Sequence, residues 1–225
     1  MKVTTDACLF GAWVAMEAGS QQSAADSVLD IGTGTALLAL MLAQKNNEVL
    51  IDAFEIDKEA ADQAKANAAS SRWKERIDII NTDVKSFSFK HKYDLIISNP
   101  PFYENEIRSA TDSKNVAHHS ENLTLEELLL IIKNHLASKG SFFLLLPYKR
   151  NEEIKRLLKD HQLHISKILL VRQSVKHDYF RVMLKGSLDE QENKETEFDE
   201  ISIWNDKQQY TNEFTNLLKD YYLHL

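Results

Sequence analysis

The sequence predicts an α/β fold with a mostly parallel β-sheet and helices on both faces. Short apolar segments that end in polar or glycine residues alternate with longer segments of helical composition, and this alternation is typical of parallel sheets. The predicted strands at 165–171 and 180–184 are too close in the chain for the helical crossover that a parallel pair requires. We therefore expect seven strands, with the last strand antiparallel.

Each predicted element rests on a local signal. Apolar runs predict strands, which we place at 28–31, 50–56, 76–81, 93–98, 141–146, 165–171 and 180–184, with an additional edge strand at 200–204. Helical composition and spacing predict helices at 9–17, 36–45, 58–71, 123–137, 151–161 and 206–223. Thr124 and Glu127 form a capping-box pattern before the fourth helix. The polar segment 103–121 lacks periodicity and is interpreted as a loop or lid.

The length of 225 residues and an ordinary globular composition predict one domain over 1–225. We divide it into an N-terminal segment (1–20), a core segment (21–186) and a C-terminal extension (187–225). No run approaches the roughly 18 apolar residues of a membrane span, and a secretion signal is not evident. The single cysteine, Cys8, excludes an intrachain disulfide and a cysteine-based zinc cluster. These features predict a cytoplasmic protein without membrane or metal partners. A monomer is favoured, but the sequence leaves the oligomeric state open.

The charge is distributed unevenly along the chain. The net charge of −7 argues against a protein with a predominantly basic, nucleic-acid-binding surface. However, residues 145–185 carry ten lysines and arginines against four acids, whereas residues 187–200 carry seven acids and one lysine. An acidic protein can therefore have a basic face, although solvated surface explains most such runs.

The most informative stretch runs from Asp94 to Phe102, where the apolar fourth strand ends in Ser-Asn-Pro-Pro-Phe. Two consecutive prolines fix the backbone φ angle and offer no N–H group, so the carbonyl oxygens are acceptors without local donors. A planar NH2 group can donate its two hydrogens to the Asn99 side chain and the Pro100 carbonyl. Phe102 can then stack on the planar group. A strand that ends at a capped turn is the structural alternative.

A glycine loop, Asp30-x-Gly32-x-Gly34, follows the first strand and precedes a helix. Such a loop presents backbone N–H groups at a helix N-terminus, which suits an adenosine-containing ligand. Glu55 ends the second strand, 23 residues after Gly32, where an acid can accept from two ribose hydroxyls. Leu37 stands where a dinucleotide fingerprint has its third glycine, so a ligand without pyrophosphate fits better than NAD.

Asp83 follows the third strand, where it can accept a hydrogen bond from an adenine amino group. Each of these acids also has a structural alternative: Asp30 as a helix-side cap, Glu55 as a solvent-exposed acid and Asp83 as a turn residue.

The motifs together resemble a known family. The succession Val-Leu-Asp-Ile-Gly-Thr-Gly-Thr, Phe-Glu-Ile-Asp, Asn-Thr-Asp-Val and Ser-Asn-Pro-Pro-Phe resembles Rossmann-like class I S-adenosylmethionine-dependent methyltransferases that act on amino groups. Over nearly its full length the chain is similar to bacterial tRNA1(Val) (adenine-37-N6)-methyltransferases. Further motifs that carry this similarity are Lys2-Val3-x-Thr5-Asp6, Leu9-x-Gly11-Ala12-Trp13, Ala117-His118-His119 and Tyr210-Thr211-x-Glu213-Phe214.

This resemblance implies S-adenosylmethionine as cofactor, tRNA as substrate and direct methyl transfer to adenine N6. The implied catalytic residues are Asn99, Pro100, Pro101 and Phe102. The implied cofactor-binding residues are Lys2, Thr5, Asp30, Gly32, Gly34, Glu55, Ile56, Asp83, Val84 and Asn99. The basic segment adds candidate RNA-binding residues, which are Lys149, Arg150, Lys176, His177 and Arg181. We assign no catalytic role to His118 or His119, since the transfer needs no strong base.

Other functions remain open on the same motifs. The Asn-Pro-Pro-Phe segment can also bind other planar amino groups as methyl acceptors. These are the N2 amine of a guanine in ribosomal RNA, the N5 amide of a protein glutamine and the amino group of a DNA adenine. A non-catalytic subunit of an RNA-modifying assembly is the alternative from a different class. The intact glycine loop, the acid after the second strand and the Asn-Pro-Pro-Phe motif count against such a subunit.

Overall fold

The computed structural model describes residues 3–19, 25–100, 123–189 and 195–224. The strands in these ranges are β1 (Ser27–Ile31), β2 (Leu50–Glu55), β3 (Ile77–Asn81), β4 (Tyr93–Ser98), β5 (Leu136–Pro147), β6 (His164–Ser174), β7 (Tyr179–Ser187) and β8 (Glu197–Trp204). The helices are α1 (Thr5–Gly19), α2 (Leu37–Lys45), α3 (Lys58–Ala69), α4 (Leu125–His135), α5 (Asn151–Asp160) and α6 (Asn212–Leu218). The segment 103–121, interpreted above as a loop or lid, lies outside the described residues.

All eight strands form one sheet in the order β3-β2-β1-β4-β5-β7-β6-β8. β7 is antiparallel to both of its neighbours, β5 and β6, whereas the other neighbouring pairs are parallel. The short connection 175–178 between β6 and β7 leaves room for a turn but no helix. The predicted antiparallel strand is thus confirmed, and β8 is the additional edge strand that the sequence indicated.

Helices cover both faces of the sheet, as predicted. On one face, buried side chains of α1, α2 and α6 pack against residues such as Val28, Leu95 and Phe143. On the other face, α4 and α5 pack against residues such as Leu29 and Ile96. Neighbouring residues of the central strands β4 and β5 alternate between these two clusters, which is the pattern expected for a sheet buried on both sides.

The boundary between α4 and β5 differs from the prediction. α4 ends at His135 and β5 begins at Leu136, because the residues before Ser141 form a bulge opposite β4. Gly140 belongs to this bulge, where an added Cβ would lie 2.9 Å from the Asp94 carbonyl oxygen. The predicted helix end at 137 and the predicted turn before 141 therefore lie within β5.

The predicted terminal helix over 206–223 is also too long, since α6 covers only seven residues. The chain first turns back after β8, and Tyr210 pairs with Trp204. Gln208 has a φ of 59°, which interrupts any helix before the Thr211 side chain caps α6. Tyr210 stacks between Trp204 and Phe214, and these rings pack in or against the core.

Within the described ranges, no helix combines the length and the apolarity needed to cross a membrane. The C-terminal extension shares the sheet and one of the two cores with the rest of the chain. The single domain and its three-part division stay predictions.

We expect Gly186→Ala to destabilise the fold by about 1–3 kcal/mol, because overpacking strains a close-packed core. An added Cβ on this β7 glycine would collide with the Phe142 ring and the His164 carbonyl oxygen. Gly19→Ala is the matched control, since a Cβ there meets no atom within 4 Å. Urea unfolding measures both variants, and equal midpoints for Gly186→Ala and the unmodified chain would contradict the packing described here.

Candidate cofactor and amine site

The site lies where three neighbouring strands end at the same edge of the sheet. In the parallel register, Ile31 of β1 is paired with Phe54 of β2 and with Ser98 of β4. The next residue of each strand or loop is Gly32, Glu55 and Asn99. These three predicted site residues therefore lie side by side at the carboxyl edge, which is where open α/β sheets bind their ligands.

The glycine loop is fixed to the end of β2. The backbone N–H groups of Gly32 and Thr33 both donate to the carbonyl oxygen of Phe54, at 2.9 Å each. Gly32 and Gly34 have φ angles of 74° and 61°, values that glycine adopts without strain. A Cβ added to Gly32 would meet no atom within 4 Å. The loop therefore leaves open space in front of Gly32 that a ligand can fill.

Glu55 connects the glycine loop to the turn after β2. Its side chain is buried, and the two carboxylate oxygens accept hydrogen bonds from the backbone N–H groups of Gly34 and Asp57, each at 2.9 Å. The Asn81 amide donates to the carbonyl oxygens of Glu55 and Ile56 at 2.8 and 3.1 Å. A carboxylate oxygen can accept more than one hydrogen bond, so Glu55 can also accept hydrogen bonds from ribose hydroxyls.

Asp30 lies beneath the loop and is completely buried. Its Oδ2 accepts a 2.6 Å hydrogen bond from the Thr33 hydroxyl, whereas Oδ1 is buried without a hydrogen-bond partner. Burial raises the pKa of Asp30 to about 7, and the nearby Glu55 carboxylate acts in the same direction. An unpaired buried acceptor is costly unless a ligand satisfies it. A cationic group in front of the loop, such as the ammonium group of S-adenosylmethionine, fits this environment.

The turns after β2 and β3 form the next part of the edge. Ile56 is a large apolar side chain with 53% of its surface exposed, which suits the face of an aromatic ring such as adenine. Val84, in the turn after β3, is buried. Asp83 accepts a 2.9 Å hydrogen bond from the Lys85 N–H and caps a short 3₁₀ turn. Asp83 thus fills the turn role that the sequence left open, while its contact with adenine stays a prediction.

The end of β4 is fixed to the end of β1. The Ser98 hydroxyl donates to the Ile31 carbonyl oxygen at 2.8 Å in a fully buried contact. Asn99 is half-buried and Pro100 is buried, so the amine acceptors predicted from the sequence begin on a rigid strand end. Pro101 and Phe102, as well as His118 and His119, lie outside the described residues.

The start of α1 also reaches this edge. Asp6 forms an ion pair with Arg181 at 2.7 Å, and Arg181 is paired with Pro147 at the carboxyl end of β5. Thr5 is exposed beside it, and its cofactor role stays a prediction. Lys2 lies outside the described residues.

The candidate RNA-binding residues share the carboxyl edge but differ in their partners. Arg150 forms an ion pair with Glu153, and Arg181 pairs with Asp6. Lys149, Lys176 and His177 are exposed, and the His177 ring contacts the Ser174 hydroxyl at 2.7 Å. Of the five candidates, the two arginines are therefore less available to phosphates than the sequence suggested.

The uneven charge is in part internal complementarity between strands. Lys167 of β6 pairs with Glu197 of β8, and Arg172 of β6 pairs with Glu200 of β8. Because β6 and β8 are neighbours, the acidic segment neutralises part of the basic segment. In the described residues there is no group of three histidine, cysteine, aspartate or glutamate side chains that could hold a metal ion.

Sequence reasoning missed three residues that hold the site together. Thr33 contacts Asp30, Asn81 holds the turn after β2, and Ser98 joins β4 to β1. All three are polar residues at or just beyond strand ends. That position was the available signal, because the carboxyl ends of parallel strands meet at one edge.

Comparison with known proteins decides the family. The model of the methyltransferase small domain matches residues 14–164. The chain belongs to this family. It is 37% identical over 226 residues to the tRNA1(Val) (adenine(37)-N6)-methyltransferase of Yersinia enterocolitica, a match that covers 99% of this chain and 86% of that protein. The protein of the same name from Aliivibrio salmonicida is 33% identical over 225 residues, with coverage of 100% and 92%.

A shorter match to another protein of that name, from Dyadobacter fermentans, reaches 47% identity over 147 residues, or 65% of this chain and 59% of that protein. Solved structures agree in fold. A predicted O-methyltransferase from Agrobacterium tumefaciens matches with a TM-score of 0.70 at 14% identity, over 94% of each chain. A putative class I S-adenosylmethionine-dependent methyltransferase from Listeria monocytogenes matches with a TM-score of 0.63 at 17% identity, over 86% of this chain and 64% of that chain.

This member of the methyltransferase family therefore has the class I fold, and S-adenosylmethionine is its cofactor. The Asp30 environment and the space in front of Gly32 fit that cofactor.

We expect Asp30 to contribute a loss of stability in the cofactor-free chain as the pH rises from about 4 to about 7. The folded chain keeps the Asp30 proton up to its raised pKa of about 7, whereas the unfolded chain releases it near 3.8. The folded state thus binds more protons in this range, so the free energy of unfolding falls as the pH rises. Urea unfolding at several pH values measures this slope.

Asp30→Asn should remove that part of the slope. Asp62→Asn is the matched control, because Asp62 is exposed on α3 and its pair with Lys58 lowers its pKa below 3.8. The control should keep the slope between pH 4 and 7. An identical slope in Asp30→Asn and the unmodified chain would contradict the buried, protonated Asp30.

Proposed function

We propose that this protein transfers a methyl group from S-adenosylmethionine to the exocyclic N6 of an adenine in tRNA. The relatives named above point to adenine 37 of tRNA1(Val). One observation carries the proposal: the acceptors of Asn99 and Pro100 begin directly beside the glycine loop, because Ser98 and Ile31 are register partners. A tRNA substrate also implies that the protein acts in the cytoplasm.

In this proposal the cofactor lies along the carboxyl edge. Asp30 and the loop of Gly32 and Gly34 face its methionine end, and Glu55 accepts from the ribose. Ile56, Val84 and Asp83 surround the adenine. The surface exposure of Ile56 and the unpaired Asp30 oxygen support this order. Thr5, and from the sequence alone Lys2, would close the site from the N-terminal side.

The target adenine would leave its loop stack and enter the site, since its N6 is otherwise out of reach. N6 would donate its hydrogens to the Asn99 side chain and the Pro100 carbonyl oxygen, which aims its lone pair at the methyl group. Pro101 and Phe102, placed here from the sequence, would stiffen the turn and stack on the base. When bound, S-adenosylmethionine supplies an electrophilic methyl group on a sulfonium.

The new bond forms between N6 and the methyl carbon as the sulfur–carbon bond breaks, and the bond electrons remain on sulfur. The methylated nitrogen then loses a proton to solvent, so no strong base is needed. The acceleration comes mainly from orientation and from fixed acceptors.

Glu55→Gln should weaken binding of S-adenosylmethionine about ten- to a hundredfold, because a hydrogen bond to a charged group contributes about 1.5–3 kcal/mol. The neutral amide also places an NH2 group against backbone N–H donors. Glu59→Gln is the matched control, an exposed glutamate of α3, and should bind normally. Calorimetric titration measures the affinity of both variants for S-adenosylmethionine. An unchanged affinity in Glu55→Gln would contradict the assignment of Glu55 to the ribose hydroxyls.

Asn99→Ala should lower methyl transfer to tRNA by about a hundredfold or more, which is the loss found when one oriented polar group is removed from an active site. Labelled methyl transfer to total tRNA from cells that lack this modification, followed by nucleoside analysis, measures it. Asn47→Ala is the control, since Asn47 is exposed in the turn between α2 and β2. N6-methyladenosine should appear with the unmodified chain and the control.

Good cofactor binding without transfer to any tRNA would overturn the proposed substrate. Ribosomal RNA guanine and protein glutamine would then be tested as acceptors. A chain that S-adenosylmethionine does not stabilise against heat would instead be a non-catalytic subunit, since a ligand at 100 times its dissociation constant stabilises a protein by about 2.7 kcal/mol.

A further inference from the structure

Two tyrosines meet at the carboxyl edge, beyond the end of β4. Tyr148 follows β5 and Tyr179 begins the antiparallel β7. Their ring centroids are 5.4 Å apart and the rings are tilted by 57°. Both side chains are partly exposed. Sequence reasoning did not predict this pair, since 30 residues separate its members and only the β5–β7 pairing brings them together.

Side chains of β6 and β8 fix the orientation of Tyr179. Its hydroxyl donates to Glu200 of β8, and the same carboxylate pairs with Arg172 of β6 at 2.6 Å. The Arg172 guanidinium lies 5.5 Å from the centroid of the Tyr179 ring. Tyr148 is partly buried against the core on the face of the sheet that α4 and α5 cover. The pair is therefore a rigid aromatic surface with a cation beside it.

The register places this surface close to the amine site. Ser98 of β4 is paired with Leu144 of β5. Asn99 comes directly after Ser98, whereas Tyr148 comes four residues after Leu144. Tyr148 therefore lies about 10 Å further along the strand direction than Asn99. A strand of stacked nucleotides rises about 3.4 Å per nucleotide. A few nucleotides thus span the distance between the two places.

The exposed charges beside the tyrosines favour a polyanion. Lys149 adjoins Tyr148, and Lys176 lies in the turn just before Tyr179; no ion pair is found for either lysine in the described part of the chain. Asp178 is exposed in the same turn, so the excess of positive charge is modest. The aromatic rings, more than the charges, therefore distinguish this surface.

We propose that Tyr148 and Tyr179 form a stacking platform for unpaired nucleotides that flank the target adenine in the substrate RNA. This inference rests on the proposed function. Single-stranded nucleic acid is bound by aromatic rings that stack on bases and by nearby cations that contact the backbone. Lys149 and Lys176 supply those cations. The platform makes an RNA loop, and not a duplex or a protein amide, the fitting substrate.

Substitution by leucine tests the platform, because leucine keeps apolar packing and removes the flat ring face. Tyr148→Leu and Tyr179→Leu should each raise the KM for tRNA about ten- to a hundredfold, the effect of losing one stacked base. The kcat and the KM for S-adenosylmethionine should stay unchanged. Tyr148→Phe retains the ring and should behave like the unmodified chain. Tyr179→Phe also retains the ring but loses the hydroxyl that donates to Glu200, so its KM for tRNA should lie between those of the unmodified chain and Tyr179→Leu.

Phe198→Leu is the matched surface control. Phe198 has 70% of its surface exposed near the start of β8, far from the carboxyl edge, and its loss should leave every constant unchanged. Thermal unfolding of all variants tests for a purely structural role, which would lower the melting temperature and kcat together in the leucine variants.

If the unmodified chain methylates tRNA and the leucine and phenylalanine variants have equal KM values for tRNA, the platform is overturned. The proposed function would then remain intact. A fall in kcat and melting temperature without a change in the KM for tRNA would also overturn it. No transfer to tRNA by the unmodified chain would overturn the proposed function itself. The two failures are therefore distinguishable.

Discussion

The site depends on the hydrogen bonds that Glu55 makes at the end of β2. Its two carboxylate oxygens join the Gly34 N–H on one side to the Asp57 N–H on the other. Without this buried carboxylate, the glycine loop and the turn into α3 would have no common anchor. A buried charge that accepts two backbone hydrogen bonds is well satisfied, and it stays next to the surface where a ligand arrives.

The parallel register extends this anchor to the rest of the edge. Ile31 aligns with Phe54 and Ser98, so the cofactor loop and the amine acceptors meet without any long connection. The reversed β7 then brings Tyr179 to the same edge at the far side of β5. A single sheet thus places cofactor, target base and neighbouring nucleotides along one line.

The sequence predicted well where one short segment determines the structure. Gly32 and Gly34 have positive φ angles, and the apolar run of β4 ends at Asn99 and Pro100. It failed where distant contacts decide. The β5 bulge depends on the approach of Gly140 to β4, and α6 is short because Tyr210 turns back onto Trp204. The roles of Asn81 and of the Tyr148 and Tyr179 pair likewise arise only from strand pairing.

The most direct test of the account is a crystal structure with S-adenosylhomocysteine, the product form of the cofactor. The ribose hydroxyls should lie within hydrogen-bond distance of Glu55, and the ammonium group should lie beside Asp30 Oδ1. The adenine should pack on Ile56, and the sulfur atom should face Asn99. Binding at another edge of the sheet, or an Asp30 Oδ1 still without a partner in the complex, would contradict it.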